Sequence, residues 1–370
     1  MGYYIFLFLI PTAMWILFAK LCFKHEFTFK EMTAQGAVSL FIFVGLFAMG
    51  SYSQTHDTML VNGVVVELNP KKQSCPIGWN DFTDSFCKEY RTRRIPNGQT
   101  CSTTKGSRSC ITNYKTQYNY IYPWERRYFV ETDLNKTYEI SRVDRQGVNT
   151  PPRFSEIVLG DPVTASVSYT NYIRGARDSL FNETLPDDEL PPLAYPSVRD
   201  YYHTNRVIFS STEASSQLHS EWNEQIAFVN SNIRETGANV ILVITGNNQN
   251  FAQRLAQAWE AHNINDVIVT IGVSDEAVSW VDVRSWSSNE MVNITIRDEI
   301  LNLGTLDNER INAIIETAIM EYYAGRDMSE FEYLADDIPP PTWAIILACI
   351  LLFVASPTAT WFLSNNQIKS

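Results

Sequence analysis

Two apolar runs, Asn239-Val-Ile-Leu-Val-Ile-Thr245 and Asp266-Val-Ile-Val-Thr-Ile-Gly272, decide how the second half of this 370-residue chain folds. Each is a short, continuous series of β-branched and aliphatic side chains, the pattern of a strand covered on both faces in a parallel sheet. Between them Phe251, Leu255, Trp259 and His262 recur at helical spacing. Strand, helix and strand in that order make a βαβ unit, whose crossover is right-handed.

Working outward, Arg206-Val-Ile-Phe-Ser reads as a further strand. Ser211-Thr-Glu opens a helix carrying Leu218, Trp222, Ile226, Val229 and Ile233, which Gly237 stops. Downstream, Ser279–Trp286 alternates as a half-buried strand does, Met291–Ile296 is expected to add another, and Asp307–Tyr323 is an amphipathic helix. These elements define an α/β unit over 197–335. Before it, the stretch 181–196 holds four prolines together with Glu183, Asp187, Asp188 and Glu189, which predicts an extended linker and a domain boundary near 190.

The region 52–180 is predicted to be mainly β. Asn62-Gly63 between two β-branched runs signals a hairpin turn. Residues 71–115 are basic, rich in Gly, Ser, Thr and Cys and without helical period, and read as an irregular segment. The trio Arg91, Arg93 and Arg94 is either an anion contact or a solvated charged face. Tyr118–Ile140 and Ala165–Tyr169 have strand composition. Four cysteines, Cys75, Cys87, Cys101 and Cys110, fall in this region and are expected to form two disulfides, with three pairings open. Their spacings of 12, 14 and 9 hold no Cys-x-x-Cys pair, which disfavours the rival, a four-cysteine zinc site.

Both ends of the chain are apolar. Tyr3–Phe23, Ala34–Ser51 and Thr342–Leu363 are each near the roughly 20 residues that a membrane-spanning helix needs. The sequence therefore predicts three spans: a hairpin within 1–51, with spans about 3–23 and 34–51, and a final span within 336–370. Lys20, Lys24 and Lys30 around the first link, with Lys369 in the tail, place the link and tail in the cytoplasm and the N-terminus and large middle region outside. The apolar content of 45% and the mean hydropathy of −0.16 fit apolar spans attached to a water-soluble body. A net charge of −12 argues against a nucleic-acid partner. No acidic or basic residue lies midway along a span, which disfavours a transporter.

Candidate chemistry is sparse. Thr245-Gly-Asn-Asn248 follows one parallel strand and Asp275-Glu276 follows the next, at the carboxyl edge where open α/β sheets bind ligands. Asp266, Asp275 and Glu276 are the candidate ligands for Ca2+ or Mg2+, against the plainer reading of Asn, Asp and Gly as turn residues. There is no Gly-x-Gly-x-x-Gly, phosphate loop or Gly-x-Ser-x-Gly, so no catalytic residue or nucleotide cofactor is assigned. His262 reads as a packed histidine on the apolar face of its helix.

One resemblance adds to this. The stretch Glu235-Thr-Gly237-Ala, the strand Val240–Ile244, the helix Phe251–Trp259, Asn265-Asp266-Val-Ile-Val and Tyr323-Ala-Gly-Arg326-Asp-Met resemble the TPM family over 197–335. That family is named for a thylakoid-lumen protein, a photosystem repair protein and an acetylcholine-receptor modulator. The resemblance implies an α/β sandwich on a membrane tether, facing away from the cytoplasm and assisting other membrane complexes. In some members it implies phosphatase activity or calcium binding. The chain departs from the family between Val273 and Trp286, where a Gly-rich turn is missing. In the first unit, Val143–Gly147, Pro151-Pro-Arg, Tyr169–Ile173 and Ser179–Phe181 are similar to membrane proteins of bacteria and large tailed phages, which implies a bacterial or phage-infected inner membrane. Two functions are expected: a membrane-anchored extracytoplasmic protein that binds or modulates an envelope partner, or a divalent-metal-dependent, phosphatase-like hydrolase.

Overall fold

The computed structural model describes residues 9–22, 27–104, 107–140, 152–176, 193–198, 204–210, 215–259, 262–274 and 277–365. In chain order these form α1 (Leu9–Cys22), α2 (Phe29–Thr55), β1 (His56–Ser74), β2 (Trp79–Asn80), β3 (Tyr90–Thr104), β4 (Ser107–Tyr120), β5 (Trp124–Thr132), β6 (Thr137–Glu139) and β7 (Pro162–Thr170). The second half runs β8 (Val207–Ser210), α3 (Ser216–Asn232), β9 (Asn239–Thr245), α4 (Asn250–Ala258), β10 (Asp266–Ser274), β11 (Ala277–Ser285), α5 (Met291–Leu303), α6 (Asn308–Tyr322) and α7 (Thr342–Asn365).

The α/β unit is as its two apolar runs predict. β8, β9 and β10 are parallel neighbours, and β11 closes the sheet antiparallel to β10. All seven residues of β9 are buried, because the sheet is covered on both faces. Val240, Leu242 and Ile244 meet α3, α5 and α6, while Ile241 and Val243 meet Phe251, Leu255 and Trp259. Each such side chain contributes roughly 1.5–3 kcal/mol by leaving water. The run Met291–Ile296, expected as a strand, is instead the start of α5. Val292, Ile296 and Ile300 recur every four residues and are fully buried, a period too long for a strand. Helix α3 starts at Ser216 with Ser215 capping Leu218, and Ser211–Ala214 lie outside the described residues.

The region before it is β-rich but differs from expectation in two places. Asn62-Gly63 makes no turn. Both residues sit inside β1, which pairs with β7 from His56 to Val64 and with β5 from Val65 to Ser74. Gly63 is required by crowding, since an added Cβ would lie 2.2 Å from Asp133 Oδ1 and 2.6 Å from Leu134 Cγ. The segment expected to be irregular holds a long antiparallel ribbon, β3 with β4, joined at its base by β2. Two disulfides are present, Cys75–Cys87 and Cys101–Cys110. The first is buried beside Tyr120 and the second links paired positions near the ribbon's far end.

Helices α2 and α7 are long and apolar enough to cross a membrane, whereas the described part of α1 is shorter. Residues 3–8 and Phe23 of the expected first span, and Lys24 in the link, lie outside the described residues. These three helices pack with their polarity inverted. Thr12 hydroxyl meets Ser39 hydroxyl at 2.7 Å, and Trp15 Nε1 and Gln35 Nε2 both donate to Thr360 Oγ1. Thr12, Gln35, Ser39 and Ser356 are buried, while Phe41 is 81% exposed and Val44, Ile350 and Phe353 also face outward. Polar groups inside and hydrocarbon outside suit a lipid solvent, where interhelical hydrogen bonds hold helices together.

Candidate functional site: a buried polar junction

The two units are joined by a dense polar cluster built from their least similar parts. β1 and β7 of the antiparallel sheet abut the amino-terminal ends of β8, β9 and β10. Arg206, one residue before β8, is 2% exposed. Its Nη2 donates to Asn62 Oδ1 and, at 2.9 Å, to Thr164 Oγ1. Asn62 Nδ2 donates in turn to Asn230 Oδ1 and to the Ala238 carbonyl, each at 3.1 Å. Asn230 closes the chain of bonds by accepting from the Val240 N–H at 2.7 Å.

Asp266, the first residue of β10, is fully buried beside this group. Its carboxylate accepts from Asn239 Nδ2 at 2.8 Å, the Asn263 N–H at 2.9 Å and the Tyr195 hydroxyl at 2.9 Å. Asn263 links across to the first unit, donating to the Thr58 carbonyl and accepting from the Tyr169 hydroxyl at 2.8 Å, while Asn265 donates to the Leu60 carbonyl at 2.8 Å. Leu193 and Tyr195, assigned by sequence to the linker, thus belong to the α/β unit, where Trp259 Nε1 also donates to the Leu193 carbonyl. The rest of the linker, up to Pro192, lies outside the described residues.

Burial governs the charges here. It pushes Asp266 up to about 6, against the hydrogen bonds from Asn239, the Asn263 N–H and Tyr195. It pulls Arg206 down to about 10, against the fields of Tyr195 and Asp266. It also raises the Tyr195 hydroxyl, with the Asp266 charge adding to the effect. One buried cation and one buried anion leave the junction neutral overall, which is how such a cluster is tolerated. His262 is not on the face of α4. It follows the helix in the left-handed region (φ 55°), packs on Trp286 and keeps Nδ1 3.0 Å from the Asn263 carbonyl. Burial takes its pKa down to about 4.

Of the three candidate metal ligands, Asp266 opens β10, while Asp275 and Glu276 lie outside the described residues. Ser274, the end of β10, is roughly 26 Å from Asp266 along an extended strand. The described residues therefore do not bring Asp266 to the carboxyl edge, and its oxygens are taken by three donors. At that edge Asn247 donates its N–H and Nδ2 to Thr245 Oγ1, and its carbonyl accepts from Trp280 Nε1 at 3.0 Å. This is turn chemistry. Among the described residues the one trio of close metal-binding groups is Cys75, Cys87 and Glu125, and its two sulfurs are bonded to each other.

The sequence reading missed Arg206, Asn62 and Tyr195. The signal available was the polar run His262-Asn-Ile-Asn-Asp266 at the mouth of a buried strand, where polar side chains must find partners. No family model, no curated protein and no solved structure matches this chain.

Proposed function

We propose that this chain is a membrane-anchored binding protein whose soluble body, held on the extracytoplasmic side, modulates an envelope partner. The observation that carries the reading is the joining of its parts. Helix α2 passes into β1 with no linker, and β1 brings Thr58, Leu60 and Asn62 into the junction that holds the α/β unit. Anchor, β unit and α/β unit are thereby coupled, as suits a scaffold that presents surfaces. Inverted polarity in α1, α2 and α7 supports three spans, and disulfides confined to the soluble part support an oxidising compartment. Helices on both faces of a βαβ sheet support the TPM-like reading.

Two measurements test this. Affinity capture of the intact chain in mild detergent is expected to retain a stoichiometric membrane or envelope protein; recovery of the bare chain counts against the reading. Titration with Ca2+ or Mg2+ is expected to leave the melting midpoint unmoved, whereas a shift abolished by Asp275→Asn would favour the hydrolase. Thiol labelling without permeabilisation reads the orientation: Cys75, Cys87, Cys101 and Cys110 are expected to react only after an impermeant reductant is added.

A further inference from the structure

The β3–β4 ribbon is unlike the rest of the molecule in charge. Between Lys71 and Lys115 nine lysines and arginines stand against Asp81, Asp84 and Glu89, in a chain that carries 29 basic and 41 acidic residues in all. β3 is 15 residues long, roughly 50 Å of extended chain. Among the described residues, β3 and β4 pair with one another and with no other strand beyond the short contact of Trp79 and Asn80 with β4. The ribbon starts where β1 ends, at the opposite end of that strand from α2.

Its surface has the composition of a protein interface, in which Arg and aromatic residues are enriched. Arg91 and Arg94 are exposed and belong to no ion pair among the described residues. Arg93 lies over the Trp79 ring at 4.3 Å. Ile77, Ile111 and Tyr114 are 86%, 70% and 60% exposed. Bare polyanion binding needs charge but not this much apolar surface. Addition of a strand to the free edge of β3 is opposed by Pro96 and by the register shift between Pro96 and Gln99. The fitting occupant is a folded surface that is acidic and partly apolar.

Such a surface exists on this chain. Helix α6 carries a shallow groove of about 550 Å³ lined by Ala313, Glu316, Thr317, Met320 and Glu321. Its rim is acidic, and Met320 is 59% exposed. We propose that the ribbon is a self-association arm, docking its Arg- and Tyr-bearing surface on the α6 groove of a second copy of this chain. This rests on the anchored-body reading, because two copies tethered to one membrane share one orientation and meet at a raised effective concentration. Opposite charge sets the partner and speeds the encounter, and the exposed apolar side chains supply the contact area.

The test uses the full chain in mild detergent, with mass measured by light scattering at low and high salt. The wild type is expected to associate, with at least a tenfold loss of affinity as salt rises. Arg91→Glu/Arg94→Glu and, separately, Glu316→Arg/Glu321→Arg are each expected to remain monomeric, and an equimolar mixture of the two variants is expected to form the hetero-complex. An unshifted far-ultraviolet dichroism spectrum and melting midpoint certify that each variant folds. A monomeric wild type overturns the proposal. So does an arm variant that associates as the wild type does, which would place the contact in the spanning helices. Partner capture from the membrane is read separately, so loss of self-association with capture intact rejects this arm while leaving the proposed function standing.

Discussion

Asp266 and His262 are buried within four residues of one another, yet their protons act on stability in opposite senses. The folded state raises Asp266 from 3.8 to about 6, so folding binds a proton more tightly there and stability falls as pH rises from about 4 to 6. It lowers His262 from 6.5 to about 4, so that contribution is present above pH 6.5 and is lost as pH falls toward 4. Each amounts to roughly 3 kcal/mol, and over pH 4–6 they largely offset. Denaturant midpoints taken across this window should unmask each slope: Asp266→Asn leaves stability rising with pH relative to the wild type, and His262→Gln leaves it falling. A pair of parallel profiles would contradict the assignment. Arg206→Met removes the cation whose field favours the Asp266 carboxylate and strands Asn62 Oδ1 and Thr164 Oγ1, at an expected cost of about 3 kcal/mol in the same assay. Combined with Asp266→Asn, the loss should be smaller than the sum, since the two sites share one network.

At the scale of elements, the two disulfides predict different phenotypes. Cys75–Cys87 is buried against Tyr120 at the root of the ribbon, whereas Cys101–Cys110 is exposed near its end. Replacing Cys75 and Cys87 by Ser should cost about 2–4 kcal/mol of global stability. Replacing Cys101 and Cys110 should speed hydrogen exchange in β3 and β4 with little effect on the midpoint. Gly63→Val should destabilise by about 1–3 kcal/mol, because Asp133 and Leu134 already occupy the space a side chain needs. These cases mark what a one-dimensional reading reaches. The buried strands β9 and β10 and helix α6 were legible because their apolar periods are local. Asn62-Gly63 misled because the Asp133–Leu134 turn that demands glycine there is 70 residues away. The ribbon escaped notice because neither of its faces is buried, so no alternation marks it. Met291–Ile296 was short enough to fit either period, and length settled it as a helix. The junction was only hinted at by the polar run His262–Asp266: its members come from β1, β7, α3, the Leu193–Tyr195 segment and the starts of three other strands, and no spacing announces that they meet.

Across the whole molecule, the long apolar helices α2 and α7 and the two disulfides were legible from composition, while the union of the β-rich and α/β units was not. A linker rich in proline suggested independent domains, yet Asn62, Thr164 and Tyr169 reach across to Arg206 and Asn263. Inserting Gly-Ser-Gly-Ser between Thr55 and His56 interrupts the direct passage from α2 to β1 and the Asn171 N–H bond to the Thr55 carbonyl, now 2.6 Å. The insert is expected to become a protease cleavage site while the unfolding free energy of the β-rich and α/β units stays within about 1 kcal/mol of wild type, because the junction of Asn62, Arg206 and Asn263 is left intact. A large fall in that stability would mean that helix α2 helps the two units fold.

The same unbroken passage has a mechanical meaning. From Phe29 to Ser74 one backbone runs as helix and then as strand, with only a register slip at Val65–Glu67 on the way. It behaves as a crankshaft: rotation of the apolar helix about its axis is delivered to the root of the ribbon, with no swivel between them to absorb it.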